Sequence, residues 1–232
     1  MIKKIIKILL TTFLFLFLGI LYLSIIGIKT DKFNNQITNN FLNINKKVSL
    51  NLNDIKYLLN PYNLTISIKT KDPLISLEGR RLRIKAIQTN VGLRSLLNKH
   101  FLIDDVKITT ERIKVNDIIA LARTIKNSPQ LFVLATTIKD GFITADINLN
   151  FDENGKIKEN YDIKGSVEKA KLKILSQFNL QNLNFDFDIK RNIYSLSQID
   201  MNLNGIKITS PLIEIKKTTE LFLVNGKFIN DR

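Results

Sequence analysis

The chain contains no cysteine and no tryptophan, and its single histidine is His100. Without cysteine there is no disulfide, no thiolate-bound zinc or iron–sulfur cluster and no cysteine nucleophile. One histidine excludes a His-Glu-x-x-His zinc site, and a serine–histidine–aspartate enzyme would have to use His100 as its base. We therefore expect a protein that is not an enzyme and that holds neither a metal nor a cofactor.

Negative charge and proline are also scarce. The 232 residues include 35 lysines and arginines against 21 aspartates and glutamates, a net charge of +14. This excess favours contact with nucleic acid or with an anionic lipid surface. Aromatic residues make up only 8%, and single-stranded nucleic acid needs aromatic stacking, so we expect no nucleic-acid partner. With four prolines and no Pro/Ser/Gly-rich linker, one folded domain is expected.

A long apolar run stands near the start of the chain. Residues 8–28 carry no charge, whereas lysines precede this run and Lys29 follows it. About 20 apolar residues at ~1.5 Å rise cross a ~30 Å hydrocarbon core, so we assign residues 1–29 to a cytoplasmic tail and a transmembrane anchor. The alternative is a cleaved signal peptide, whose apolar core is ~7–15 residues and ends in a small-x-small site.

The lysines Lys3, Lys4 and Lys7 set the expected orientation. By the positive-inside rule they keep the amino terminus in the cytoplasm, and long domains translocate largely regardless of charge. We expect a single-pass protein of the bacterial inner membrane with its bulk in the periplasm.

Residues 30–46 are predicted to form a short amphipathic helix. Phe33, Ile37, Phe41 and Ile44 recur at helical spacing, with asparagines between them. Such a helix lies on the membrane surface or caps the following domain, and both positions remain open.

The period then changes from helical to two. Apolar residues alternate with polar ones in runs that predict strands with one apolar and one solvated face: 48–52, 64–68, 82–84, 106–108, 145–151, 183–189 and 199–203. Residues 152–155 predict a hairpin loop, and Asp140-Gly141, Asn204-Gly205 and Asn225-Gly226 are weaker turn signals. Short helices are predicted at 91–97 and at 116–127, ending before Pro129.

The fold class is therefore α+β and mostly antiparallel β. Few helices are available to cover the apolar faces of many strands. The sheet must close on itself as a sandwich or barrel, or curl into a groove whose apolar interior faces a ligand such as an acyl chain. Periodicity alone favours the closed core.

The order of several segments carries a family resemblance. The start MIKKIIKILL and the anchor are followed by IKTDKFNNQITNNF, then PLISLEGRRLRIKAIQTNVGLRSLL and FLIDDVKITTERIKV. Over about residues 1–125 the chain resembles the amino-terminal part of the AsmA-like family, whose relatives include TamB and YhdP. Members of that family are usually several times longer, so we expect a short member or only the membrane-proximal start of a groove.

The resemblance implies a membrane-anchored periplasmic protein with a chorein-like β-groove, in domain 47–232. It implies binding or transport of phospholipid acyl chains in outer-membrane biogenesis. A scaffold or assembly factor for outer-membrane proteins is the alternative. The expected groove-lining residues are Leu64, Ile66, Ile68, Leu82, Ile84, Ile147, Leu149, Phe185, Phe187, Met201 and Leu203.

Basic and acidic clusters complete the candidates. Arg80, Arg81, Arg83 and Lys85 form a dense basic stretch that could meet lipid headgroups, or be a solvated strand face. Two carboxylate pairs, 104–105 and 152–153, are expected on opposite strand faces and in a turn, so neither predicts a catalytic or metal site.

Overall fold

The computed structural model describes residues 2–31, 34, 48–53, 55–77, 80–93, 103–125, 128–152, 158–174, 177–219 and 221–230. The described helices are α1 (Ile2–Ile25), α2 (Val115–Ile125) and α3 (Pro129–Thr137). The described strands are β1 (Ile28–Thr30), β2 (Val48–Asn51), β3 (Ile55–Asn60), β4 (Thr65–Lys71), β5 (Leu74–Leu77), β6 (Arg80–Gly92), β7 (Ile103–Thr110), β8 (Ile113–Lys114), β9 (Ile138–Asn150), β10 (Asp162–Ile174), β11 (Phe178–Lys190), β12 (Ile193–Leu203), β13 (Ile206–Lys217), β14 (Phe222–Gly226) and β15 (Ile229–Asn230).

The strands form one antiparallel sheet that is not closed. Its main path runs β1-β3-β4-β6-β7-β9-β10-β11-β12-β13-β14, and β2, β5, β8 and β15 pair beside this path. Neighbours along the path from β6 onward mostly follow each other in the chain, as short antiparallel connections predict. The expected α+β class, mostly antiparallel β with few short helices, is confirmed.

Register separates the sheet into an apolar and a polar face. Directly paired residues from β3 to β14 form one row: Ile55, Thr70, Ile87, Ile108, Ile147, Ile163, Ile189, Tyr194, Ile215 and Val224. Because neighbouring strands lie about 4.8 Å apart, this ten-strand row extends about 43 Å across the sheet. We call the side that carries it the apolar face, and the opposite side the polar face.

Bulges keep the apolar residues on that face where the alternation shifts. Lys169, Asn182 and Gln198 have φ between 51 and 53°, and register shifts occur beside Lys169 and Asn182. The side chain of Asn184 accepts a hydrogen bond from the Lys169 amide at 2.8 Å. The extra residue at each bulge returns the apolar side chains that follow it to the apolar face, and it increases the local twist of the strand.

Three apolar clusters lie on this face. The first joins β2, β3 and β5, and the second packs Leu82, Ile84 and Ile113 under Ile118 and Leu121 of α2. The third lies among β9 to β12 around Val167, Ala170 and Phe187. The clusters follow the sheet from one side to the other, so the core is spread out.

Several local expectations differ from the structure. Val91 and Gly92 belong to strand β6, where the alternation of Ile87 and Val91 continues, and residues 94–97 of that expected helix lie outside the described residues. Thr30 lies in β1, Asn34 is helical, and the rest of the expected helix 30–46 after Asp31 also lies outside them. Likewise, Leu64 lies in the turn that precedes β4.

The expected helix at 116–127, ending before Pro129, is confirmed as α2, which ends at Ile125. The further helix α3, which begins at Pro129, is not among the expected elements. The Ser128 side chain accepts a hydrogen bond from the Leu131 amide at 3.3 Å, with proline at the first helical position. This combination initiates a helix.

Of the turn signals, Asn204-Gly205 is confirmed between β12 and β13. Asp140-Gly141 lies within β9 and Asn225-Gly226 within β14, so neither is a turn. Gly141 has φ 140° and lies against Ala170, a close approach that requires glycine. The predicted hairpin joins β9 to β10, and residues 153–157 of its loop lie outside the described residues.

Candidate functional site

Helix α1 is long and apolar enough to cross a membrane. The segment Lys3–Ile25 has a mean hydropathy of 2.5, and none of it is buried inside the protein. A helix whose apolar surface meets no protein is not a core helix.

The end of α1 is held against the sheet at Gly27. This residue has φ 69°, and a β-carbon there would collide with the Tyr57 carbonyl oxygen and lie 2.8 Å from the Leu58 side chain. Only glycine combines this backbone conformation with so close an approach. Burial raises the pKa of the Tyr57 phenol beside this junction.

The apolar face is covered in the near half of the sheet, which we define as β1 to β8. There, β2 and β5 pack over β3 and β4, and α2 packs over β6 and β8. Leu82 is only 1% exposed and Ile84 is also buried. These two expected groove residues therefore lie inside a closed cluster.

The far half, defined as β10 to β14, differs. Within the described part of the chain, β11 and β12 make their principal contacts only with the strands beside them. Phe187 is buried together with Val167, Ala170, Ile199 and Ile213, whereas several other apolar residues of this face are half-buried without a covering layer in that part. Those half-buried residues are Leu183, Phe185, Ile189, Leu196, Met201 and Leu203.

The structure therefore brings most of the expected groove residues onto one face. Phe185, Phe187, Met201 and Leu203 share the far half. Ile147 and Leu149 join them through β9, and Ile66 and Ile68 lie on the same face of β4. Leu64 stands apart as an exposed turn residue with φ 51°.

Gly165 makes room on this face for the Phe187 ring. The two are direct cross-strand partners, and a β-carbon at Gly165 would lie 2.7 Å from the ring and collide with the Thr144 carbonyl oxygen. The ring occupies the space that a side chain at position 165 would need, as glycine–aromatic pairs in sheets do.

The polar face carries a row of lysines in the near half. Lys29 pairs with Lys56, Lys56 with Lys69, Lys69 with Gln88, and Gln88 with Lys107. Among the described residues, none of these four lysines forms an ion pair within 4 Å. Like charges directly opposite each other repel.

In the far half, two lysines of the same face are paired with aspartates. The Lys190 ammonium lies 3.0 Å from the Asp188 carboxylate, and Lys164 lies 3.4 Å from Asp162 and 3.9 Å from Asp188. The hydrogen bond and charge of Asp188 raise the pKa of Lys190.

The expected headgroup residues lie elsewhere on the sheet. Arg81, Arg83 and Lys85 are exposed at the β5 end of β6, and the side chain of Arg80 lies outside the described residues. Along β6, Arg83 lies five positions from Gln88, about 16 Å at ~3.3 Å per residue, and Lys85 lies three positions from it, about 10 Å. None of them belongs to the lysine row, and the arginines are distant from it.

The remaining candidates show no catalytic arrangement in the described part of the chain, where no acidic or histidine cluster suited to a metal occurs. Asp105 accepts a hydrogen bond from the Asn90 amide at 3.2 Å, and Asp104 is exposed. His100 and Glu153 lie outside the described residues.

A cleft of about 840 Å³ separates the second half of α1 from the polar face. Its helix wall includes Ile20 and Leu21, and its strand wall includes Ser67, Lys69 and Lys107. One wall is thus apolar and the other polar and basic.

Sequence reasoning missed the lysine row because its members lie 13 to 78 positions apart in the chain. Only register places them together. The alternation of Lys69 with Ile68 and of Lys107 with Ile108 does mark each as a polar-face residue. Comparison of the chain with family models, with curated proteins and with solved structures finds no match.

Proposed function

We propose that this chain is an AsmA-like, single-pass protein of the bacterial inner membrane, with a cytoplasmic amino terminus and a periplasmic β-domain. Its sheet binds the acyl chains of phospholipids during lipid transport to the outer membrane. The observation that carries the proposal is the ten-strand apolar row, whose far half has no covering layer in the described residues.

The physical reason is the cost of apolar surface in water. Each Å² of apolar surface removed from water contributes about 25 cal/mol. Acyl chains supply apolar contact and need few polar partners, so an apolar face that consists mostly of isoleucines, leucines and phenylalanines suits them. The half-buried state of Phe185, Met201 and Leu203 leaves area for a ligand to cover.

The test replaces two apolar residues of β12 by charge. The double variant Met201→Glu with Leu203→Glu should abolish crosslinking to a phospholipid with a photoreactive acyl chain, because a carboxylate against hydrocarbon is costly. The matched control, Asn179→Glu with Asn202→Glu, adds the same charge on the polar face. The full chain is assayed in nanodiscs, and its unfolding temperature is measured in parallel.

Two results would contradict acyl binding on this face. One is an absence of crosslinking to the unmodified chain. The other is equal crosslinking of both double variants when both remain folded.

An assembly factor for outer-membrane proteins is the second candidate. The edge strand β14 exposes Phe222, Leu223 and Val224, and in the described part it pairs only with β13. Exposed edges accept added strands. Co-purification of a β-barrel protein that is lost in Val224→Pro but kept in the double variant of β12 would favour this candidate.

A further inference from the structure

We propose that the cleft between α1 and the polar face binds one anionic phospholipid. Its acyl chains lie along the helix and its phosphate lies on the lysine row. The proposal depends on α1 crossing the membrane, as in the proposed function, but not on acyl binding at the apolar face.

The position of the lysine row favours a lipid headgroup. Lys29 lies four residues after the end of α1, and the row extends from it across β3, β4 and β7. A helix that crosses the bilayer brings this row to the level of the headgroups. Lys69 and Lys107 line the cleft on either side of Gln88, about 9.6 Å apart in backbone position, so their long side chains can reach one phosphate. Lys56 stands directly beside Lys69 in the row.

In the described part of the chain, no acidic side chain forms an ion pair with a lysine of the row. Opposed lysines repel, and the far half shows that this sheet elsewhere places aspartates beside its lysines. On the two rows that adjoin Lys107, Asp105 accepts a hydrogen bond from the Asn90 amide and Asp146 lies opposite Thr109, and among the described residues neither carboxylate forms an ion pair with a lysine of the row. An anion from outside the chain would relieve the repulsion.

Two hydroxyl groups support a ligand in the cleft. Ser67 is only 8% exposed, and within the described residues its side-chain oxygen has no hydrogen-bond partner. Ser24, on the helix wall of the same cleft, has a buried hydroxyl in the same condition. Unpaired buried polar groups are costly, and a polar headgroup between the walls would satisfy both.

The hairpin between β3 and β4 extends the same surface. Its Tyr62 is 96% exposed, and Pro61, Tyr62 and Asn63 line the cleft together with Phe17 of α1. Asn60 fixes the turn by accepting hydrogen bonds from the amides of Tyr62 and Asn63. Tyrosine is typical of the membrane interface, so the tip places this side chain beside the lipid.

The experiment removes the charge of the row. The full chain carrying Lys56→Gln, Lys69→Gln and Lys107→Gln is reconstituted in nanodiscs with equal phosphatidylglycerol and phosphatidylcholine, and retained lipid is counted by native mass spectrometry. The unmodified chain should retain one phosphatidylglycerol. Since one basic residue near an anionic surface changes affinity about fivefold, the triple variant should lose about 100-fold.

The matched control is Lys171→Gln, Lys173→Gln and Lys207→Gln, which removes the same charge from exposed positions of the far half. Retention in this control should remain within twofold of the unmodified chain. Equal losses in the two triple variants, or equal retention of the two lipids, would overturn the proposal. Displacement of the lipid by inorganic phosphate would instead assign the row to a free anion and also overturn it.

A smaller change tests the hydroxyl. Ser67→Ala should lower retention about tenfold or more, as loss of a hydrogen bond to a charged group predicts. Unchanged retention would contradict a role of the Ser67 hydroxyl in binding. Two further results separate this proposal from the proposed function. If alkaline carbonate releases the chain from membranes, α1 is not a membrane anchor and the proposed function fails. If the double variant of β12 still retains the phospholipid, the cleft binds lipid independently of the apolar face.

Discussion

The two halves of the sheet have the same alternation of apolar and polar residues, but they differ in which face is covered or paired by other residues of the chain. In the near half, α2, β2 and β5 cover the apolar face, and the polar face has a row of lysines unpaired among the described residues. In the far half, two lysines of the polar face pair with aspartates, and the described residues provide no layer over β11 and β12 on the apolar face. Each half thus leaves one face unsatisfied.

The contrast indicates a division of roles. The unsatisfied face of the near half is basic and lies beside α1, where an anionic membrane surface is expected. The unsatisfied face of the far half is apolar and lies away from the anchor. The two unsatisfied faces lie on opposite sides of the sheet, so the lysine row and the far apolar face are two separate candidate surfaces.

The largest expected effect comes from truncating the covered half. Leu82→Ala should lower the free energy of unfolding by about 3 kcal/mol, because Leu82 is almost fully buried. Leu203→Ala, in the half-buried far half, should cost about 1 kcal/mol. Denaturant unfolding of the full chain in detergent measures both, and equal losses would show that the far half is closed as well.

The next effect concerns the Gly165–Phe187 pair of the far half. Gly165→Ala should destabilise by about 2 kcal/mol, because the new methyl group collides with the Thr144 carbonyl oxygen and the Phe187 ring. Gly165→Ala combined with Phe187→Leu should recover part of the loss. If Gly165→Ala is neutral in thermal unfolding, the close packing of this face is refuted.

A third prediction concerns the sign of a charge effect. Lys69→Gln should stabilise the chain by about 0.3 kcal/mol at low salt, since it relieves repulsion within the row. Lys164→Gln should destabilise it by a similar amount, since it removes an exposed pairing with Asp162 and Asp188. Added salt should weaken both effects. If the two variants change the free energy of unfolding in the same direction, the contrast between the two halves of the polar face is contradicted.

The smallest effect is a pH dependence of the far half. Asp188 raises the pKa of Lys190 above 10.5 in the folded chain. The stability from this pair is therefore present below that value and is lost as the pH rises through the folded pKa. Unfolding midpoints between about pH 9 and 12 should fall less steeply for Asp188→Asn than for the unmodified chain, and parallel curves would contradict the assignment.

Much of this architecture is readable from the sequence because its signals are local. The uncharged run 8–28 predicts α1, and the alternation of 183–189 predicts β11. Bulges are harder, because Gln198 interrupts the alternation between Leu196 and Ile199 without a composition signal. Ser128-Pro129 is a recognisable helix-start signal, from which α3 could have been predicted.

The candidate sites depended on information that alternation does not contain. Leu82 and Met201 have the same local alternation of apolar and polar residues. Only Leu82, however, lies under helix α2. Register likewise decides that Lys56 and Lys69 are partners and that the arginines of β6 lie far from them. Coverage and register are set by tertiary packing.

Gly27 has a further consequence for how the domain is mounted. With no room for a side chain against Tyr57 and Leu58, the connection between helix and sheet has little freedom to swing. The bilayer would then determine the direction in which every strand points. A bulkier residue at position 27 would tilt the whole domain relative to α1 without altering any of its surfaces.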